Sequence, residues 1–232
     1  MIIHFGRRWS LPALAVSICM APTALLAQET LEVTVEGLAG EALSDEAAFC
    51  VPDAAAHQAP GQNVQPGISW SAGPEGTQSY TILMVDPDVP TEFENFNKEG
   101  TTMPADMPRQ NFYHWVLVDI PAATTSLPAG ADTGEKSPKP VGETPHGLRG
   151  VNDYTKFMTG DMAGEYGGYD GPCPPWNDER MHNYTFHVYA LDVPSLGLSG
   201  AFTGADAEKA LEGHVLATGK VTGTYTLNPA MR

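Results

Sequence analysis

The chain has 232 residues, in which 12 Lys and Arg face 28 Asp and Glu for a formal charge of −16. That surplus of acid repels nucleic acid and anionic lipid headgroups, so no nucleic-acid partner is expected and any bound anion must be held by local donors. Its plainest use is solubility.

The first residues read as an address. Arg7 and Arg8 make a basic start, and Leu11 to Leu26 is an apolar, Ala-rich stretch too short and too broken by proline for a spanning helix. This predicts a secretory signal peptide over 1–27, cleaved after Ala27. The paired arginines fit a twin-arginine route only in part. Cys19 follows Val16-Ser17-Ile18, a poor context for lipid attachment, so a soluble periplasmic or secreted protein is expected. Removal of the leader leaves ten basic residues against 28 acidic ones, a formal −18. The remaining residues, 28–232, suit a single domain with a real core. No later run of about 18 apolar residues occurs, so no integral membrane segment is expected after processing.

Along that domain, Leu31 to Glu36 alternates apolar and polar side chains, Ile68 to Ser71 is a short apolar run, and Ser79 to Asp86 is a continuous one. All three predict strands. Residues 91–111 and 121–165 are rich in turn formers and predict loops, with Thr124 to Pro145 the most linker-like. Between them Phe112 to Ile120 predicts a strand. So does Asn183 to Asp192, with Tyr184, Phe186, Val188 and Ala190 on one face and Thr185, His187, Tyr189 and Leu191 on the other. Because both faces are largely apolar, that strand should be central. Ala207, Ala210, Leu211, His214 and Val215 fall at helical spacing behind Thr203, with Asp206 three residues on, as in a capping box; Gly213 weakens the last turn. Val221 to Leu227 alternates with Thr222, Thr224 and Thr226 and predicts a final strand at an edge or on a half-exposed sheet. The fold class is mainly β, an antiparallel sandwich with one helix near the C-terminus packed on it.

Three polar clusters interrupt these runs. Asp86-Pro87-Asp88-Val89-Pro90 reads alone as an acidic turn that stops its strand. His114-Trp115 sits in an apolar strand that has no need of an imidazole, and His182 and Tyr184, two apart, share a strand face. Between them lies Gly171-Pro172-Cys173-Pro174-Pro175. Two cysteines remain beyond the leader, Cys50 and Cys173, open to reading as a bridge or as two buried thiols.

In this order the clusters resemble the phosphatidylethanolamine-binding protein family, in its bacterial Raf-kinase-inhibitor-like branch, most densely between Tyr80 and Asp192. The resemblance implies a Greek-key sandwich and supports pairing of Cys50 with Cys173. It places Asp86, His114, His182 and Tyr184 around a small anion pocket, with Gly171 and Pro174 shaping the wall. In relatives the pocket holds phosphate-like groups or the phosphate of phosphoethanolamine, and no cofactor is implied. Donors there would be imidazole N–H groups, the Tyr184 hydroxyl and backbone amides of the Tyr166 to Gly171 turn. Asp86 would accept from a histidine or a ligand amine and raise the imidazole's affinity for a proton, so binding is expected to be tighter near pH 6 than near pH 8.

The match has departures. Asn183 stands where relatives often carry arginine, Val89 replaces the usual alanine, and residues 91–111 are longer than the loop of compact bacterial members. Phe93, Phe96, Met103 and Met107 of that loop either cover the pocket or form an inert excursion, and Trp176 either rims the opening or packs under its loop. Two other functions fit the composition. One is a metal-dependent or acid–base enzyme built on Asp86, His114 and His182, against which stands the absence of Gly-x-Ser-x-Gly, a Walker loop and His-Glu-x-x-His; no metal ligands are assigned. The other is an inhibitor of a secreted or envelope hydrolase that acts through a protein partner.

Overall fold

The computed structural model describes residues 1–2, 29–38, 41–133 and 140–232; beyond Ile2, the leader read over 1–27 lies outside the described residues. In chain order the strands are β1 (Glu29–Thr30), β2 (Val33–Val35), β3 (Cys50–Asp53), β4 (His57–Pro60), β5 (Ile68–Trp70), β6 (Ser79–Pro90), β7 (Arg109–Pro121), β8 (Ser126–Leu127), β9 (Gly142–Thr144), β10 (Gly147–Arg149), β11 (His182–Leu191) and β12 (Val215–Tyr225). The helices are α1 (Tyr154–Phe157), a 3₁₀ turn over Gly160–Met162, and α2 (Gly204–Leu211).

A seven-stranded sheet runs β1-β12-β11-β6-β7-β10-β9, a three-stranded sheet runs β2-β5-β8, and β3 and β4 form a hairpin. Only β1, beside β12, is parallel in the large sheet. There β6, β7 and β10 follow one another and β11 returns to lie beside β6, which is the Greek-key order. The small sheet covers one face: Ile68, Trp70 and Leu127 pack with Ile82, Met84, Leu117, Phe186 and Val188. On the other face Ala207 and Leu211 of α2 cover Leu83, Val85, Val116 and Val118. Burial on both faces explains why β6 and β11 read as near-continuous apolar runs. Strand β11 is interior, as its two apolar faces predict, and β12 is second from the edge with one face buried and the other half-buried or, at Lys220 and Thr222, exposed.

Three expectations need correction. The helix ends at Leu211, and Val215 already opens β12; the apolar period runs on, but Gly213 at φ +83° turns the chain back. Its start is as expected, with Thr203 and Asp206 forming a reciprocal capping box. The Asp-Pro-Asp turn does not stop its strand. β6 continues to Pro90 because the register skips between Asp86 and Val89, a bulge in which Pro87 has no ladder bond to donate. The linker-like stretch, outside residues 134–139, carries β8 and β9 at its ends, and β10, α1 and the 3₁₀ turn follow it. They are too short for periodicity to reveal.

Candidate functional site

The four polar side chains expected to converge do so, at the end of the large sheet where β6, β7 and β11 emerge from the core. Asp86 follows the buried run of β6, and its Oδ1 accepts the Asp88 N–H at 2.8 Å, which fixes the carboxylate. Asp88 then binds the neighbouring strand: its Oδ2 accepts from the Asn183 backbone N–H at 2.9 Å and from Asn183 Nδ2 at 2.8 Å, and its Oδ1 meets Arg180 Nε at 2.6 Å. Asn183 therefore acts as a strand tie at the place where relatives were expected to carry arginine.

His114 is aimed by a second bulge. Met84 pairs with Trp115 and Val85 with Tyr113, which leaves His114 as an extra residue of β7. As a result Trp115 joins the sandwich side while both Tyr113 and Val116 face α2, and the His114 ring lies 5.1 Å from Tyr184 and 4.7 Å from Phe112. Bulges re-aim side chains in this way beside functional sites.

Asp86, His114, His182 and Tyr184 are all at least 97% buried and line one cavity of about 540 Å³. His182 Nδ1 donates to Asp86 Oδ2 at 2.7 Å and Nε2 donates to Asp178 Oδ2 at 3.1 Å. Burial alone would lower its pKa, but the Asp86 and Asp178 carboxylates outweigh that and carry it to about 9, so the ring is an imidazolium at neutral pH. Asp178 in turn takes both terminal nitrogens of Arg109, at 2.5 and 3.0 Å. Burial raises Asp178, yet the hydrogen bonds from His182 and Arg109 prevail and hold its carboxyl below the usual range. Two carboxylates and two cations thus cancel beneath the cavity.

His114 differs in kind. Its Nδ1 lies 2.8 Å from the Asp170 carbonyl, which can only accept, so Nδ1 carries the hydrogen and Nε2 presents a lone pair. Burial is the leading influence and lowers its pKa despite Asp86, whose Oδ2 is 3.9 Å from Nε2, so the ring is neutral. Among the described residues neither His114 Nε2 nor the Tyr184 hydroxyl has a partner at hydrogen-bond geometry, although the hydroxyl lies close enough to the Asp86 carboxylate to feel it. Burial and the Asp86 charge push the Tyr184 phenol far above its ordinary value, so its proton stays in place.

Several expected donors are committed elsewhere. Both His182 nitrogens serve carboxylates. In the 166–171 turn, Asp170 N–H donates to the His114 carbonyl at 3.0 Å, Gly171 N–H to Asn63 Oδ1 at 2.7 Å, Tyr166 N–H to Thr155 Oγ1 at 2.9 Å and Tyr169 N–H to the Asp132 carbonyl at 3.4 Å. Pro174 lines the cavity as expected, but Gly171 is not among the lining residues. Its part is spacing, because a Cβ there would sit 1.9 Å from the Ala47 carbonyl oxygen. Cys50 and Cys173 form a disulfide, and both line the cavity.

Exposure divides the lining. Beyond the buried floor come Phe49, Val89, Phe96, Phe112 and Met158, and then Phe93 and Phe157 at the mouth, 39% and 40% exposed. The long loop therefore forms cavity wall. Met103, 1% exposed, is one of its anchors rather than a cover. Trp176, half-buried, stacks on His57 of the β3–β4 hairpin at 4.0 Å and is not among the lining residues, so it does not rim the opening. Sequence reasoning missed Asp178, Arg109 and Tyr154. The signal for Asp178 was an acid four residues before His182; Arg109 had none, being 69 residues from its partner.

The family model described as phosphatidylethanolamine-binding protein matches residues 38–226. A UPF0098 protein of Aquifex aeolicus is 35% identical over 165 residues, 71% of this chain and 75% of its own. The UPF0098 protein YbcL of Escherichia coli is 30% identical over 167 residues, 72% of this chain and 74% of its own. The crystal structure of Escherichia coli YbcL, described as a new member of the mammalian PEBP family, superposes with a TM-score of 0.61 at 27% identity, covering 84% of this chain and 98% of that one.

Proposed function

The chain belongs to the phosphatidylethanolamine-binding protein family, and from that premise we propose that it binds a small phosphate-bearing or zwitterionic ligand on the cavity floor, as a binding or regulatory protein rather than a catalyst. One observation carries this: His114 Nε2 and the Tyr184 hydroxyl, both buried and unpartnered, stand beside a carboxylate whose charge is already matched. A buried polar group without a partner costs about 1–3 kcal/mol, which a ligand oxygen recovers. Tyr184 donates as it stands. His114 donates once an anion draws a proton onto Nε2. An amine on the same ligand has the Asp86 carboxylate to meet. Among the described residues the lining contains no Ser, Thr or Lys and its cysteines are bridged, which favours binding over nucleophilic chemistry. Among the described residues no group of three or more His, Cys, Asp or Glu is arranged to hold a metal ion. We place the protein in the periplasm or outside the cell; the disulfide supports an oxidising compartment.

The test is calorimetry with glycerophosphoethanolamine, whose charge is constant between pH 6 and pH 8. Burial holds the His114 pKa below 6.5 and a bound phosphate raises it, so binding takes up a proton and tightens as pH falls. The limit is about tenfold per pH unit. His182, at about 9, stays charged throughout and adds no slope. His114→Gln should flatten the profile, and Tyr184→Phe should weaken binding by roughly 1 kcal/mol. Equal affinities for wild type and His114→Gln at both pH values would remove the reading.

A further inference from the structure

The disulfide stands in the cavity wall, and its two ends have different surroundings. Cys50, 7% exposed, belongs to the main core with Trp70, Tyr184 and Tyr225. Cys173 is half-buried and packs both on that core and on the outer cluster of Phe112 and Tyr154, beside Phe49, Val89 and Met158, all five of which line the cavity. The bridge therefore runs from the core, at Cys50, to the cavity side, at Cys173. In thiol–disulfide exchange the attacking sulfur approaches from the side away from the sulfur that leaves, and access governs which end is attacked. Here the open approach is from the cavity onto Cys173, with Cys50 leaving toward the core.

Other ties hold the two segments together when the S–S bond is open. The Pro172 carbonyl accepts from the Phe49 N–H at 2.9 Å and the Cys50 N–H at 3.1 Å, Gly171 N–H donates to Asn63 Oδ1 at 2.7 Å, and the Tyr154 hydroxyl donates to the Gly171 carbonyl at 2.8 Å. A released Cys50 thiol, a small apolar group, suits the core it already occupies. We infer that Cys173 is a modification site for low-molecular-weight thiols that enter through the cavity. The thiolate sulfur bonds to Cys173 Sγ, the S–S bond breaks, and its electron pair leaves on Cys50 Sγ, which takes up the proton the incoming thiol gave up. One disulfide replaces another, so nothing is oxidised or reduced overall. The body of the thiol then lies among Phe49, Phe112 and Met158. That apolar wall, in a chain of formal charge −16, favours uncharged thiols over anionic ones. The step is independent of what the cavity floor binds.

Exchange with mercaptoethanol, compared on the unmodified protein with exchange by a thiol-capped polyethylene glycol too wide for the cavity, tests this. Each reaction is quenched in acid at early times, and peptide mapping by mass spectrometry locates the adduct. Mercaptoethanol should attach to Cys173, leave Cys50 as a free thiol and preserve the circular dichroism of the folded chain. It should also react roughly tenfold faster than the polymer, because access limits only the latter. In urea, where the wall is gone, the two thiols should react at similar rates. Val89→Trp and Met158→Trp, which place bulk in the wall beside Cys173, should slow mercaptoethanol in the folded protein and leave its rate in urea unchanged. An adduct on Cys50, no early adduct, a folded-state rate ratio equal to that in urea, or a rate indifferent to both wall variants overturns the proposal.

Discussion

Two histidines share the Asp86 carboxylate and hold opposite protonation states. His182 lies between two carboxylates within hydrogen-bond distance, whereas His114 Nε2 is 3.9 Å from one and its other nitrogen is tied to a neutral carbonyl. Stability should therefore respond to pH from both sides. The folded pKa of His182, about 9, lies above the unfolded 6.5, so its stabilisation is complete below pH 6.5 and is lost as pH rises through 9. The two carboxylates thus make this charge a stabilising one, on the order of a few kcal/mol. His114 is shifted the other way, so the folded state loses ground as pH falls below 6.5. Urea midpoints from pH 5 to pH 10 should peak near pH 6.5, and the alkaline loss should be absent in His182→Gln. An unchanged alkaline limb in that variant would show that His182 is not the cation. At this scale the sequence was partly legible. Asp86, His114, His182 and Tyr184 stood out as polar residues in apolar strands, but which ring is charged depends on Asp178 and Arg109, brought in by contacts that spacing does not encode.

At the scale of elements, interruptions of regular pairing shape the site. The extra residue at His114 and the skip from Asp86 to Val89 turn two side chains that simple alternation would misplace. Patterning by apolar runs and by alternation revealed β2, β5, β6, β7, β11 and the later part of β12, and the capping box revealed the start of α2. It was blind to bulges, to the β3–β4 hairpin, and to a loop ordered by side chains instead of by repeats. Asn177 is the main fastener of that loop: its Oδ1 accepts the Asn97 N–H at 3.1 Å while its amide serves Asn95 and Thr101. The isolated bridge between Met103 and Asp178 continues the seam. Asn177→Ala should leave several half-buried groups unpaired and cost about 1 kcal/mol. Amide hydrogen exchange should quicken across 93–103 while β6, β7 and β11 keep their protection. Uniform exchange across the whole protein would instead mean that the loop and the sheet open together.

At the scale of the whole molecule, the formal charge of −16 was plain from composition, and an anion site inside it looks contradictory. The contradiction eases because acids beneath the cavity are matched: His182 and Arg109 with Asp86 and Asp178, and Arg180 with Asp88. Sequence counts cannot reveal such pairing, since the partners are up to 96 residues apart. A floor that is neutral, inside a molecule that is acidic, has an ionic-strength dependence opposite to that of a basic phosphate site. Salt weakens anion binding where cations attract the ligand, but here it screens the repulsion that the surface acids impose on approach, over a Debye length of about 10 Å at 0.1 M. Ethyl phosphate should therefore bind more tightly, by roughly twofold, as sodium chloride rises from about 20 to about 200 mM. Glycerophosphoethanolamine, with no net charge, should hardly respond, and it also reports any competition from chloride. Weakening of ethyl phosphate alone would mean that a free cation, not a proton gained by His114, holds the ligand.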